Sequence, residues 1–259
     1  MTAAFEQYTR EMHEKFGYFA AWAPNTPLAL GDVGTVRGHR FDPVTSLTRL
    51  EIPFAESSAG PESTFSYLSA GQVHTSVSPE VTLPAVAGAV EPSLRLTVTF
   101  SRAKSTFFQA VRCETRRIAD LAAVETGIRE RMTEKLWKSD YVVVTELVRT
   151  GPAVILVSSR ADTRVELEVS AELVPAALPL GGAAIGLGSG IDPRSGLAAQ
   201  VITPEGGLTP LFRGAGMRRP GIGRRRLRVR SHDTPPEVAE RRLTPLSWAE
   251  FSREPIERI

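Results

Sequence analysis

Apolar residues recur near the start of the chain at three- and four-residue steps: Phe5, Tyr8, Met12 and Phe16. Charges (Glu6, Arg10, Glu11, Glu14, Lys15) fall between them, so the spacing predicts an amphipathic helix ended by Gly17. Tyr18 to Trp22 then reads as a short strand. Leu28–Leu30 and Val33–Val36 are apolar pieces broken by glycines, with a turn at Arg37-Gly38 and a further turn or helix start at Asp42-Pro43. Between Ser63 and Val77 the apolar positions (Phe65, Tyr67, then Val73, Val77) predict a strand pair around Gly71. Leu94, Leu96, Val98 and Phe100 alternate with Arg95, Thr97 and Thr99, the clearest half-buried strand in the chain. Ser105–Cys113 continues as a second strand. Ile118, Leu121, Val124, Ile128, Met132 and Leu136 mark a long helix with Arg116, Arg117, Glu130, Arg131, Glu134 and Lys135 on its outer face.

Three strands follow closely, Tyr141–Arg149, Ala153–Ser159 and Arg164–Leu173. Linkers as short as Thr150-Gly151-Pro152 predict antiparallel pairing, because a parallel crossover needs a dozen or more residues. The continuous apolar runs Val142–Val144 and Val154–Val157 predict central strands buried on both faces. Gln200–Thr203 and Leu208–Arg213 read as a hairpin around Pro204-Glu205-Gly206-Gly207. Thr234-Pro235 and Thr244-Pro245 each look like a helix N-cap followed by proline, and Ser247 with Glu250 like a capping box. The fold class expected is α+β: a twisted antiparallel sheet with flanking amphipathic helices and a short helical C-terminal tail. The partition is an α+β body over 1–212, an Arg/Gly-rich connector over 213–230 and a helical tail over 231–259.

Charge sharpens this partition. The formal net charge of +2 over 259 residues is near neutral only in total. Residues 1–212 carry more acids than bases, and the tail does too. The connector holds eight arginines and no acid: Arg213, Arg218, Arg219, Arg224, Arg225, Arg226, Arg228 and Arg230. Such a segment attracts anionic lipid at about 1 kcal/mol per basic residue near the surface. It equally suits nucleic-acid phosphates with salt-dependent affinity. With Leu227 and Val229 between arginines, its end also fits an edge strand blunted by charge. Two stretches have no charge at all: Val81–Val90, which reads as an irregular connection, and Leu173–Ile191, with five glycines and two prolines. The second is close to the roughly 20 residues a membrane helix needs, yet Pro175 and Pro179 break it. A buried Gly-rich loop, or a segment meeting lipid only after a conformational change, fits better.

Catalytic motifs are missing. There is no P-loop, no H-E-x-x-H and no G-x-S-x-G, since Leu187 stands where the elbow around Ser189 needs glycine. Gly186-Leu187-Gly188-Ser189-Gly190 matches only half a dinucleotide fingerprint. His13, His39, His74 and His232 have no ligand spacing, so no metal or other cofactor is expected and an enzyme is disfavoured. Cys113, the single cysteine, permits no intrachain disulfide and suits a reducing compartment. Beside Arg112 and Arg116 it has either a lowered thiol pKa or the role of a small buried side chain. The start of the chain lacks the features of a secretory signal, which predicts a cytoplasmic protein; association with a membrane after activation is expected only if the uncharged Leu173–Ile191 stretch meets lipid.

The run Tyr141-Val142-Val143-Val144-Thr145-Glu146-Leu147-Val148, with the strands, Gly-containing region and closing hairpin after it, resembles part of a gasdermin pore-forming domain over about residues 137–212. The resemblance implies membrane permeabilisation after removal of an inhibitory C-terminal piece. Ser231–Ile259 would be that piece and the arginine segment a protease-sensitive linker. Bacterial members often carry a lipidated cysteine near the N-terminus, and this chain has none there. The leading expectation is therefore a non-enzymatic, membrane-acting protein of gasdermin-like kind. The alternative is a nucleic-acid or protein-binding module using the connector, and less favoured is an enzyme with an unrecognised site. Partners to weigh are an anionic membrane, a nucleic acid and a second copy of the chain.

Overall fold

The fold was analysed in a computed structural model, which describes residues 2–58, 60–79, 94–169, 196–203, 205–218 and 240–253. It is an α+β protein made mostly of antiparallel sheet. The chain divides into two compact units. One comprises Met1–Pro27, Gly60–Glu114 and Val148–Leu211; the other comprises Leu28–Ala59, Thr115–Leu147 and Phe212–Ile259.

The first unit opens with helix α1 (Thr2–Phe16), closed by the Gly17 N–H on the His13 carbonyl, and the two-residue strand β1 (Phe19–Ala20). Strands β5 (Ser63–Leu68), β8 (Thr106–Ile118), β10 (Ala153–Ser158) and β12 (Leu197–Thr203) pair antiparallel in the order β5-β8-β10-β12. Alternate side chains of these strands serve two cores. Phe108, Ala110, Ala153, Ile155, Val157 and Val201 pack with Tyr8 and Met12 of α1. Phe107, Val111, Val154, Leu156 and Ile202 face the other way, into a core shared with β6 (Val73–Pro79), β7 (Leu94–Phe100) and β11 (Thr163–Val169). That double burial is why β10 reads as one unbroken apolar run.

The second unit is built on the hairpin of β2 (Asp32–Arg37) and β3 (Arg40–Ser46). Gly38 and His39 both have positive φ, 49° and 66°, as a two-residue turn matched to strand twist requires. β2 also pairs with β9 (Tyr141–Arg149), and β4 (Glu56–Ser58) pairs with the end of β8. Helix α2 (Leu121–Thr133) buries Val124 and Ile128, and its first turn is capped by the Asp120 carboxylate, which accepts the Ala122 and Ala123 N–H groups. β13 (Leu211–Arg218) pairs with β14 (Arg242–Pro245), which leads into the single-turn helix α3 (Trp248–Phe251).

Several sequence expectations are corrected. Asp42 and Pro43 start no turn; they lie within β3. Ile118 ends β8 rather than starting α2, so Arg116 and Arg117 belong to a strand, and Leu121 and Leu136 are exposed. β5 and β6 do not pair with each other: β5 joins β8 and β6 joins β7. The expected meander of β9, β10 and β11 is absent, since β10 pairs with β8 and β12, and β11 with β7. Thr150-Gly151-Pro152 is not a reversal. The Gly151 N–H donates to the Val111 and Arg112 carbonyls and the Val111 N–H to Pro152, so the chain carries straight on along β8. A Cβ at Gly151 would lie 2.7 Å from the Val111 oxygen, which explains the glycine. β12 and β13 likewise form no hairpin. In the tail, Thr244-Pro245 sits in β14 instead of starting a helix, while the Ser247/Glu250 capping box is present on α3. Thr234-Pro235 and Val81–Val90 lie outside the described residues.

Candidate functional site

The three-stranded sheet β6-β7-β11 is the candidate surface that stands out among the described residues. Its register places Val73, Val77, Leu96, Val98, Phe100, Val165 and Leu167 on one face. All of them pack into the core shared with β8 and β10. The opposite face carries His74, Ser76, Arg95, Thr97, Thr99, Arg164 and Glu166, with Glu166 paired to Arg164 at 2.8 Å and to Arg95 at 4.0 Å. This period of two, apolar against polar and interrupted on the apolar face only by Thr75 and Thr163, gives each strand one largely nonpolar face and one polar face.

Where the sheet ends matters as much as its faces. Pro79 pairs with Leu94, and Leu94 with Val169, so all three form one row. The chain leaves Pro79 towards the uncharged Val81–Val90, which returns at Leu94, and leaves Val169 towards the uncharged Leu173–Ile191. The segments 80–93 and 170–195 thus adjoin the same end of one amphipathic sheet, and in sequence Glu80, Glu91 and Glu172 separate their uncharged stretches from the strands. Leu173–Ile191, with Ser189 and its flanking glycines, lies outside the described residues.

Of the eight connector arginines, two are described and both meet acids of their own unit. The Arg213 guanidinium lies 3.1 Å from Glu146. The Arg218 Nε donates to Glu250 at 2.6 Å. Burial raises the Glu250 carboxyl pKa, but hydrogen bonds from Arg218 and Ser247 outweigh it and leave the pKa below its usual value. Arg219, Arg224, Arg225, Arg226, Arg228 and Arg230 lie outside the described residues. The structure therefore does not bring the eight together as one described patch.

Around Arg218 the tail is held firmly. The Leu243 N–H donates to Glu125 of α2 at 2.8 Å, and Arg129, itself paired to Glu125, donates to the Arg241 carbonyl. The Gly38 and His39 N–H groups donate to the Arg253 and Phe251 carbonyls, each at 3.0 Å. Phe251 is fully buried, with Phe212 and His39 edge-on at 6.1 and 6.2 Å and Trp248 beside it.

Cys113 is buried, and burial pushes its thiol up to about 12, opposite to the activating direction that its arginine neighbours suggest. His13 stacks on Phe19 and His39 sits against Trp248, so neither is placed as a metal ligand. Among the described residues no cluster of His, Cys, Asp or Glu could hold a metal, and no helix is long and apolar enough to cross a membrane. One buried acid was not legible in the sequence. Glu11 reads as an outer charge of α1, yet it is only 6% exposed. It accepts hydrogen bonds from Ser69 Oγ at 2.9 Å and Gln7 Nε2 at 3.0 Å. The nearby Tyr67 phenol is pushed up to about 12, first by burial and then by the Glu11 charge. The available signal was position: Glu11 follows Tyr8 by three residues, on the edge of the apolar stripe.

No protein-family model matches the chain, and no curated protein matches it.

Proposed function

We propose that this protein acts on membranes without catalysis, as a gasdermin-like pore former restrained by its C-terminal tail. The observation that carries the reading is the amphipathic sheet β6-β7-β11, with the segments 80–93 and 170–195, each containing an uncharged stretch, adjoining one end of it in sequence. A strand crossing a bilayer needs about 9–11 residues with alternating faces. Each of these strands has seven. Each would need about two to four further residues, and Glu80, Glu91 and Glu172 stand between the strand ends and the uncharged stretches. The apolar face would exchange its present core for lipid, and the polar face would line water. The connector arginines supply attraction to anionic lipid. Restraint by the tail is supported by β14 on β13, the Arg218–Glu250 pair and the buried Phe251.

The test is dye release from anionic liposomes by the full chain, by protein ending at Arg230, and by the full chain carrying Glu250→Gln. Release is expected to be least from the full chain, intermediate from Glu250→Gln and greatest from the truncated chain. No release from any of the three, at any salt concentration, overturns the reading.

A further inference from the structure

The second unit contains an open cleft at the base of the β2–β3 hairpin. Its volume is about 280 Å³, and it is lined by Asp32, Pro43, Val44, Thr45, Ser46 and Arg49. The pairing register explains why it exists. Val33 opposes Thr45 while Gly34 opposes Pro43, so Val44 is an extra residue in β3. A bulge of this kind bends its strand and re-aims the neighbouring side chains. Val44 consequently stands 53% exposed at the rim, one of three large apolar side chains so placed among the described residues.

The cleft is bipolar. Asp32 and Ser46 are direct register partners. Ser46 Oγ accepts the Arg49 backbone N–H at 3.2 Å, which places the Arg49 main chain beside them and leaves the Ser46 proton to donate, and the Arg49 side chain lines the cleft. One Asp32 oxygen accepts the Ala29 N–H at 2.8 Å, so the carboxylate is held in place and keeps acceptor capacity. Burial raises the Asp32 carboxyl pKa, while the Ala29 N–H and the Arg49 charge act to lower it. Arg49 thus contributes to Asp32 as a nearby charge, and its fork of donors suits a phosphate.

We infer that this cleft binds a zwitterionic phosphoester, its phosphate on Arg49 with the Ser46 hydroxyl and its primary ammonium on Asp32. The cleft is open, so the remainder of such a ligand stays outside, alongside Val44. That arrangement suits a head group better than a metabolite enclosed whole. An ethanolamine phosphodiester has this chemistry, either as a lipid head group or as its soluble diester. Only the lipid source rests on the membrane reading; the soluble diester tests the cleft by itself.

The experiment titrates the full chain with glycerophosphoethanolamine and follows the backbone amides of Val44, Thr45, Ser46 and Arg49 by NMR. Saturable shifts are expected, weakened at least tenfold by Asp32→Asn and by Arg49→Gln. Asparagine keeps an oxygen for the Ala29 N–H, and Arg49→Gln, at an exposed position, carries the test should Asp32→Asn not fold. Glycerophosphocholine, whose ammonium has no N–H, should bind more weakly. Flotation with phosphatidylethanolamine-containing vesicles, against phosphatidylcholine alone, separates the two sources. Retention lost in Arg49→Gln assigns the lipid head group, and soluble binding without retention assigns the free diester; either supports the site. An absence of saturable shifts, an equal response to inorganic phosphate, or unchanged affinity in both variants overturns it. Dye release without diester binding removes the cleft and leaves the pore; binding without dye release does the reverse.

Discussion

Phe251→Ala is the sharpest perturbation of the tail. The side chain is fully buried and touches the rings of Phe212, His39 and Trp248. Truncating a buried phenylalanine to alanine costs about 3–5 kcal/mol, the spread reflecting how far the site collapses. The other ties of the segment stay in place: four register pairs between β13 and β14, and the backbone bonds from Gly38 and His39. Opening of residues 240–253 should therefore become more favourable by about two to four orders of magnitude, at about 1.36 kcal/mol per decade. Hydrogen exchange read by mass spectrometry measures this directly. Amides of residues 241–253, and of Ala215–Arg218 on β13, should lose protection together. The amides of β10, which have no part in the segment, should hold theirs. A change below tenfold in 241–253 would refute the claim that this ring anchors the tail. On the proposed function, the same variant should also release more dye than the parent.

Three other outcomes follow from the described contacts. Gly151→Ala should lower stability by about 1–3 kcal/mol, because the new methyl meets the Val111 oxygen and the Arg112 Cβ; an unchanged denaturant midpoint would contradict the close approach. Glu250 has a lowered pKa when the tail is docked, so its contribution is full above the unfolded carboxyl value near 4.5 and is lost as pH falls through the folded value. Protection of residues 241–253 should accordingly weaken in acid, and Glu250→Gln should flatten that dependence. Cys113, with its thiol raised to about 12, should react with a thiol reagent at pH 8 only as fast as the protein unfolds; labelling at the rate of a free thiol would show that the burial is wrong.

The elements were largely written in local pattern, and their partners were not. Leu94–Phe100 and Ala153–Ser158 declare themselves as strands through alternation and through an unbroken apolar run. Nothing near Ala153 says that its partners are Ala110 and Thr203. The three residues before it resemble a hairpin turn because Gly151 and Pro152 are turn residues. Here the glycine answers a close backbone approach, and β8 is long enough, at 13 residues, for the chain to continue along it. In sequence Glu11 looks solvated, as a charge between apolar helix positions usually is, and its partners Ser69 and Tyr67 lie more than fifty residues away. The Asp32–Arg49 cleft was illegible for a different reason: a bulge is a mismatch between two strands, and neither strand alone records it. The arginine segment was the loudest local signal, yet its two described members neutralise Glu146 and Glu250 of their own unit.

The alternation on β6, β7 and β11 also limits how this sheet can move. Sliding one strand by a single residue would turn every valine and leucine of its apolar face towards the polar side. Shifts of two residues, about 6.7 Å each, are the smallest that keep like against like. Any rearrangement of these strands is therefore stepped rather than gradual. Intermediates halfway between steps would expose the nonpolar side chains of the sliding strand to water, and a sheet built this way tends to stay put until it moves by a whole step.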